Sequence, residues 1–190
     1  FVDCYMTPTM RKTWLTPDQI MRRQLYSPLR QVEKNPKACS IIGNCFSLEE
    51  SSDIIRLIKK AGFTLYQLPD MKTYREYLKM SESAFCISTQ PVAKVAGEAL
   101  EKRLGQTHLY LPLSYSSQEI RKNIGILAEK LGIAYDGDKA VEEAAEEALN
   151  EAFKIIVKTE IAIDYTFTPR PLGLARLLIS HGFHVKALYV

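Results

Sequence analysis

Hydrophobic and polar positions change period repeatedly along this chain, and the clearest change lies between Ala38 and Asp70. An apolar run from Ala38 ends at Gly43-Asn44. Leu48, Ile54, Ile55, Leu57 and Ile58 then recur near helical spacing until Ala61-Gly62, and a second short run, Phe63 to Leu68, closes at Pro69-Asp70. Short continuous apolar runs bounded by turn residues mark buried strands, and the 3.6-residue recurrence marks an amphipathic helix. Ser47, with Glu50 three residues on, forms a helix-start signature, so the helix is expected to begin there. This predicts a strand-helix-strand unit, whose crossover is right-handed if the strands are parallel neighbours.

The same alternation continues on both sides. Phe1 to Met6 reads as the tail of a strand, and Thr16-Pro17-Asp18 as a helix start with a capping hydroxyl, a proline at the first position and an acid in the first turn. Ile20, Met21, Gln24 and Leu25 form that helix's modest apolar stripe, which Ser27-Pro28 ends, and Asn35-Pro36 leads into the first strand. Thr73 to Met80 predicts a short helix, Ala84 to Ser88 a strand, Pro91 to Leu104 a helix stopped by Gly105, His108 to Leu111 a strand, and Gln118 to Leu131 a helix stopped by Gly132. Lys139 to Val157 predicts a long helix with Ala140, Val141, Ala144, Ala145, Ala148, Leu149, Ala152, Phe153 and Ile156 on one side, where small residues permit close helix packing. Glu160 to Tyr165 then predicts a strand, Thr168-Pro169 a helix start, and His184 to Val190 another strand.

Alternation of this kind predicts an α/β fold, a Rossmann-like doubly wound parallel sheet flanked by helices, plus the start of a second α/β unit. The expected organisation is a lead-in over residues 1–36, a Rossmann-like domain over 37–133, and a long linking helix with an incomplete second unit over 134–190. A chain of 190 residues, 46% hydrophobic and 25% charged, is ordinary for a globular protein. No membrane-spanning run and no signal peptide is visible, so a cytoplasmic location and no membrane partner are expected. The first residue is Phe1, and an apolar run reaches Val190, which reads as a piece of a longer protein.

The net charge of +3 gives no argument for nucleic acid, and none is expected as a partner. Its distribution is uneven: seven Lys or Arg between Thr7 and Lys37 face Asp18 and Glu33, whereas seven acids between Asp136 and Phe153 face Lys139. That pattern fits two solvated faces or a charged docking surface for another subunit. Cys4, Cys39, Cys45 and Cys86 contain no Cys-x-x-Cys pair, so no metal is expected to be held by this chain alone. Cys39 and Cys86 fall inside strand-like runs as buried thiols, whereas Cys45 falls in the turn after the first strand, within reach of a ligand.

Open parallel sheets bind ligands beyond the carboxyl ends of their strands, where helix N-termini converge. Three turns qualify: Gly43 to Ser47, Ser88 to Pro91, and Thr166 to Pro171. They are expected to gather around one crevice, and the candidate ligand-binding residues are Asn44, Cys45, Ser47, Ser88, Thr89, Gln90, Thr168 and Arg170. None carries a glycine-rich dinucleotide fingerprint or a phosphate-loop Gly-Lys-Ser, there is no Gly-x-Ser-x-Gly, and His108, His181 and His184 flank or sit in strands. No catalytic residue is assigned.

Four strings stand in a telling order: Phe1-Val2-Asp3-Cys4, Ser40-Ile41-Ile42-Gly43-Asn44, Glu101-Lys102-Arg103-Leu104-Gly105 and Thr168-Pro169-Arg170-Pro171. With the order of elements, they resemble the nitrogenase component 1 type oxidoreductases, a group that includes the catalytic subunits, cofactor-assembly scaffolds and subunits of light-independent tetrapyrrole reductases. The resemblance implies that the chain is the middle domain and the beginning of the third. It implies an oxidoreductase or metallocofactor-assembly subunit with a homologous subunit as partner and electrons delivered by an ATP-dependent iron-sulfur reductase. The family's cluster-ligating cysteines lie mainly upstream of Phe1, so no cofactor is expected within this chain, and an iron-sulfur cluster belongs to the full-length protein. Three departures stand out. Thr89 occupies the position of a cofactor-ligating cysteine, with Pro91 in place of an arginine, the stretch Thr7 to Thr13 lacks the expected glycines, and Tyr165-Thr166 replaces a glycine pair. The second reading is a protein of the same fold that binds a small molecule or serves as a scaffold without redox activity.

Overall fold

The structure is a computed structural model that describes residues 14–137 and 139–189. The expected strand tail at Phe1–Met6, Cys4, the Thr7–Thr13 stretch and the end of the last strand at Val190 lie outside the described residues. Contacts divide the chain into two compact units, the first running through Pro112 with Leu127–Ile133, the second comprising Leu113–Ile126 and Ala134–Val190.

The first unit is built on four parallel strands, β1 (Asn35–Ile41), β2 (Thr64–Gln67), β3 (Ser83–Ser88) and β4 (Thr107–Tyr110), in the order β2-β1-β3-β4. Around them lie α1 (Pro17–Leu25), α2 (Asp53–Lys60), α3 (Tyr74–Leu78), α4 (Lys94–Leu104) and the end of α5 (Ser117–Leu131). The central strands are the buried ones: Ala38 to Ile41 and Phe85 to Ser88 are all shielded, as the continuous apolar runs require. Strand alternation splits their side chains between two faces. Cys86, with Ile42 just beyond β1, joins Tyr26 and Leu29 and the α4 residues Ala96, Leu100 and Leu104 in one core cluster. On the opposite face Phe63 meets Phe85 edge-on at 5.7 Å, and the Lys130 ammonium lies 5.7 Å from the Phe85 ring centre. The sheet is therefore covered on both faces.

Local signals explain most helix boundaries. Thr16 accepts from the Gln19 backbone N–H and Gln19 returns the bond to the Thr16 N–H, a reciprocal cap that starts α1 at Pro17. Thr73 and Glu76 do the same for α3. Gly105, at φ +68, stops α4 in the left-handed region. The start of α4 moves from Pro91 to Lys94, behind a 3-10 turn over Pro91–Ala93, and two other starts differ from expectation. Helix α2 begins at Asp53, because the Ser47 hydroxyl donates to Asp70 and the Leu48 N–H to Gln67 Oε1, which ties the intervening segment to the end of β2.

The second unit pairs β5 (Glu160–Asp164) and β6 (His184–Tyr189) in parallel, joined by α7 (Pro171–Ser180), with α6 (Lys139–Ile156) and the beginning of α5. Ile163, Ala175 and Phe183 are its buried centre, and Phe153 meets Phe183 edge-on at 5.3 Å. Here the second expected start moves: α7 begins at Pro171 rather than at Thr168-Pro169, because the Thr168 hydroxyl is engaged as an acceptor in the preceding turn. A further finding concerns α6, whose small residues were read as permitting close helix packing. No α6 residue is buried, and Ala140, Val141, Ala144, Ala145 and Ala148 are exposed. Only Leu149, Ala152, Phe153 and Ile156 gain partial cover, toward the end where Phe153 reaches Phe183.

Candidate functional site

In the first unit the chain leaves β1 toward β2 on one side and β3 toward β4 on the other. The carboxyl ends of β1 and β3 thus flank the switch point, where open parallel sheets leave a crevice. Residues Gly43–Ser47 and Ser88–Gln90 meet there. The Thr89 Oγ1 hydroxyl donates to Asn44 Oδ1 at 3.2 Å, joining the two turns across the switch point. Thr89 and Ser88 are fully buried, whereas Asn44 and Gln90 are half-buried and Cys45 is exposed.

The geometry of the β1 turn is set by Gly43, its first residue. Its φ of +77 is in the left-handed region, and a Cβ there would lie 2.2 Å from Ala93 Cβ in the short turn that leads into α4. Its N–H donates to Tyr26 Oη at 2.7 Å and its carbonyl accepts from Arg22 Nη1. The Arg22 guanidinium also donates to Asp18 at 3.1 Å and lies 3.7 Å from Cys45 Sγ. Burial pushes the Tyr26 hydroxyl up to about 12, against the opposing pull of the Gly43 N–H and the Arg22 charge, so Tyr26 stays protonated and neutral. Arg22 and Tyr26 are thus the clamp of this site. Neither belongs to a recognisable motif; the one signal in sequence is an arginine four residues after Asp18 on an apolar-striped helix.

The remaining candidates in this unit serve the turns. Ser47 donates to Asp70, which also accepts from Gln67 Nε2 at 3.1 Å. Ser88 Oγ sits 2.8 Å from His108 Nε2, and the Gln90 carbonyl accepts from the Ala93 N–H at 3.0 Å. His108 can lie against α4 because Gly97 faces it: a Cβ at Gly97 would fall 2.1 Å from His108 Nε2. Burial lowers the His108 pKa, which favours the neutral ring beside Ser88.

Thr168 and Arg170 belong to the second unit, at the turn after β5. Thr168 Oγ1 accepts from the Tyr115 hydroxyl at 2.8 Å and from the Arg170 N–H at 3.2 Å. Arg170 Nη1 donates to the Leu113 carbonyl at 2.7 Å and to Glu119 at 3.2 Å. Tyr115 and Glu119 were absent from the sequence-derived set, since their partners lie more than fifty positions away and no local pattern announces them.

Fitness for a metal cluster can be judged from the donors. Burial pushes the Cys39 and Cys86 thiols up to about 12, so both are protonated where a cluster needs thiolates. Thr89 is hydrogen-bonded to Asn44, and among the described residues no group of three or more His, Cys, Asp or Glu side chains converges on one point. The described residues do not by themselves fit a cluster.

No known family's sequence profile matches the chain, and no curated protein does. Solved structures do match. A structure of nitrogenase Cp1 at pH 6.5 superposes with a TM-score of 0.62 over 90% of this chain and 42% of that one, at 18% identity. Nitrogenase Cp1 at pH 5 gives a TM-score of 0.55 over 90% of this chain and 37% of the other, at 13% identity. The fold is nitrogenase-like. The chain spans about two-fifths of the length of the chains it matches, and at this identity the likeness is one of fold. No described helix is long and apolar enough to cross a membrane.

Proposed function

We propose that this chain is part of a nitrogenase-like, component 1 type oxidoreductase or metallocofactor-assembly subunit. In the full-length protein it works with a homologous subunit and receives electrons from an ATP-dependent iron-sulfur reductase. The observation that carries this reading is the nitrogenase-like fold, extending over 90% of the chain in spite of low identity. The role of this chain's own residues is positional. Arg22 and Tyr26 hold the Gly43 turn, and Thr89 joins it to the β3 turn, so that the edge of the sheet keeps a fixed shape beside whatever the rest of the protein carries. Because the described donors do not fit a cluster, no electron-transfer step is assigned to them. Anaerobic purification of the full-length protein tests the reading. Iron, acid-labile sulfide and a charge-transfer absorbance bleached by an ATP-dependent reductase are expected, and a colourless, iron-free protein would remove the redox role.

A second reading is favoured by one observation, the Thr89 to Asn44 bond at the position where the resemblance leads to a cysteine ligand. It makes the protein a small-molecule binder or scaffold on the same fold, without redox activity. An iron-free full-length protein that still binds its homologous partner would select this reading over the first.

A further inference from the structure

The second unit contains a cavity of about 300 Å³ between the start of α5 and one face of α7, within the size range of small-ligand sites. Gly173, Arg176, Leu177 and Ser180 share that face of α7 at helical spacing, and Arg170 stands just before the helix. Ser116, just before α5, and Ser117, its first residue, border the cavity, and Glu119 and Glu146 complete its charged lining. Gly173 also borders it, and a Cβ there would make ordinary contacts with the Tyr115 ring at 3.4 Å and the Arg170 side chain at 3.7 Å.

The charged groups differ in how far they are committed. Glu119 accepts from Ser114 Oγ at 2.5 Å and from Arg170 at 3.2 Å, and these contacts hold its carboxyl below the usual range. Glu146 is paired with His181 Nε2 at 2.8 Å. Arg176 has no hydrogen-bond or ion-pair partner among the described residues, and its charge reaches Glu119 only at longer range. The cavity therefore holds one uncommitted guanidinium, whose planar fork suits phosphate oxygens, beside serine hydroxyls and the positive end of a 15-residue helix. The two carboxylates cancel the two guanidinium charges. They disfavour a second anionic group and offer acceptors for hydroxyls.

We propose that this cavity binds a small polyol carrying a single phosphate, with the phosphate on Arg176 and the hydroxyls directed to the serine and glutamate side chains. The proposal goes beyond the redox reading, and its readout needs no iron, so either can fail while the other stands.

Thermal unfolding and calorimetric titration of the full-length protein with glucose 6-phosphate, inorganic phosphate and glucose, at constant ionic strength, test it. Glucose 6-phosphate is expected to raise the unfolding midpoint, inorganic phosphate to raise it less, and glucose to leave it unchanged. Arg176→Ala, at an exposed position, should leave the ligand-free midpoint in place and weaken glucose 6-phosphate at least about tenfold, with Arg176→Lys between the two. The proposal is overturned if glucose 6-phosphate gives no shift, if Arg176→Ala binds it as tightly as the parent, or if inorganic phosphate alone produces the whole effect.

Discussion

The switch-point edge of the first unit, at the carboxyl ends of parallel strands, and the charged cavity of the second, along α7, spend their polar groups differently. At the first edge most polar side chains are bonded within the protein: Thr89 to Asn44, Ser88 to His108, Ser47 to Asp70, Arg22 to the Gly43 carbonyl. In the second unit Thr168, Arg170 and Glu119 are similarly engaged, but Arg176 is left over. A polar group already satisfied by the protein must give up that bond before it can serve a ligand, at a cost comparable to the bond itself. The first edge is thus built to hold shape and the second cavity to exchange partners.

The sharpest way to break this contrast is Gly43→Ala. The substitution adds left-handed backbone strain of about 1–2 kcal/mol and forces a Cβ to within 2.2 Å of Ala93 Cβ, so the turn must move. The expected loss in a urea unfolding curve is about 3 kcal/mol or more. A loss below about 1 kcal/mol would mean the turn relaxes freely, and the rigid edge with it.

Paired tyrosine substitutions come next in size. Tyr26→Phe leaves the Gly43 N–H without its acceptor inside the core, where such an orphan costs about 1–3 kcal/mol. Tyr115→Phe removes only a donor to Thr168, at a half-buried site where Thr168 keeps its bond to the Arg170 N–H, so about 0.5–1.5 kcal/mol is expected. Equal losses would erase the contrast, and the reverse order would place the more rigid constraint in the second unit.

What could be read before the structure follows the range of the interaction. Strands β1 and β3 and the stripes of α2 and α4 were legible because burial imposes a period on neighbouring residues. The α1 start was legible because Thr16, Pro17 and Asp18 are consecutive, whereas the return bond from Gln19 appears only in the structure. The starts of α2 and α7 were not, because Ser47 pairs with Asp70 and Thr168 with Tyr115, and a hydroxyl near a helix looks the same whether it caps that helix or bonds a distant side chain. Asn44, Thr89 and Arg170 were candidates by their positions after strands, whereas Arg22 and Arg176 have no such marker. They are ordinary arginines on helices, and only the fold shows what each one faces.

The smallest effect separates the units by pH. Burial lowers the His108 pKa below the ordinary 6.5, outweighing the attraction of Glu101 and Glu98 and aided by Lys94. Its contribution to stability is therefore complete above 6.5 and falls as the pH drops toward its lower folded value, because the unfolded chain takes up the proton first. His181 has the opposite sign. Its Nδ1 donates to the Leu177 carbonyl at 2.8 Å and its Nε2 faces Glu146, and both raise its pKa above 6.5. That contribution is complete below 6.5 and is lost as the pH rises through the higher folded value. Amide exchange, corrected for the intrinsic rate at each pH, should show the β4 amides losing protection on acidification through 6.5 while the α7 amides gain it. His108→Asn should flatten the first trend and leave the second. If both elements moved together in the parent protein, the units would unfold as one, and the histidines would report a shared transition instead of two separate environments.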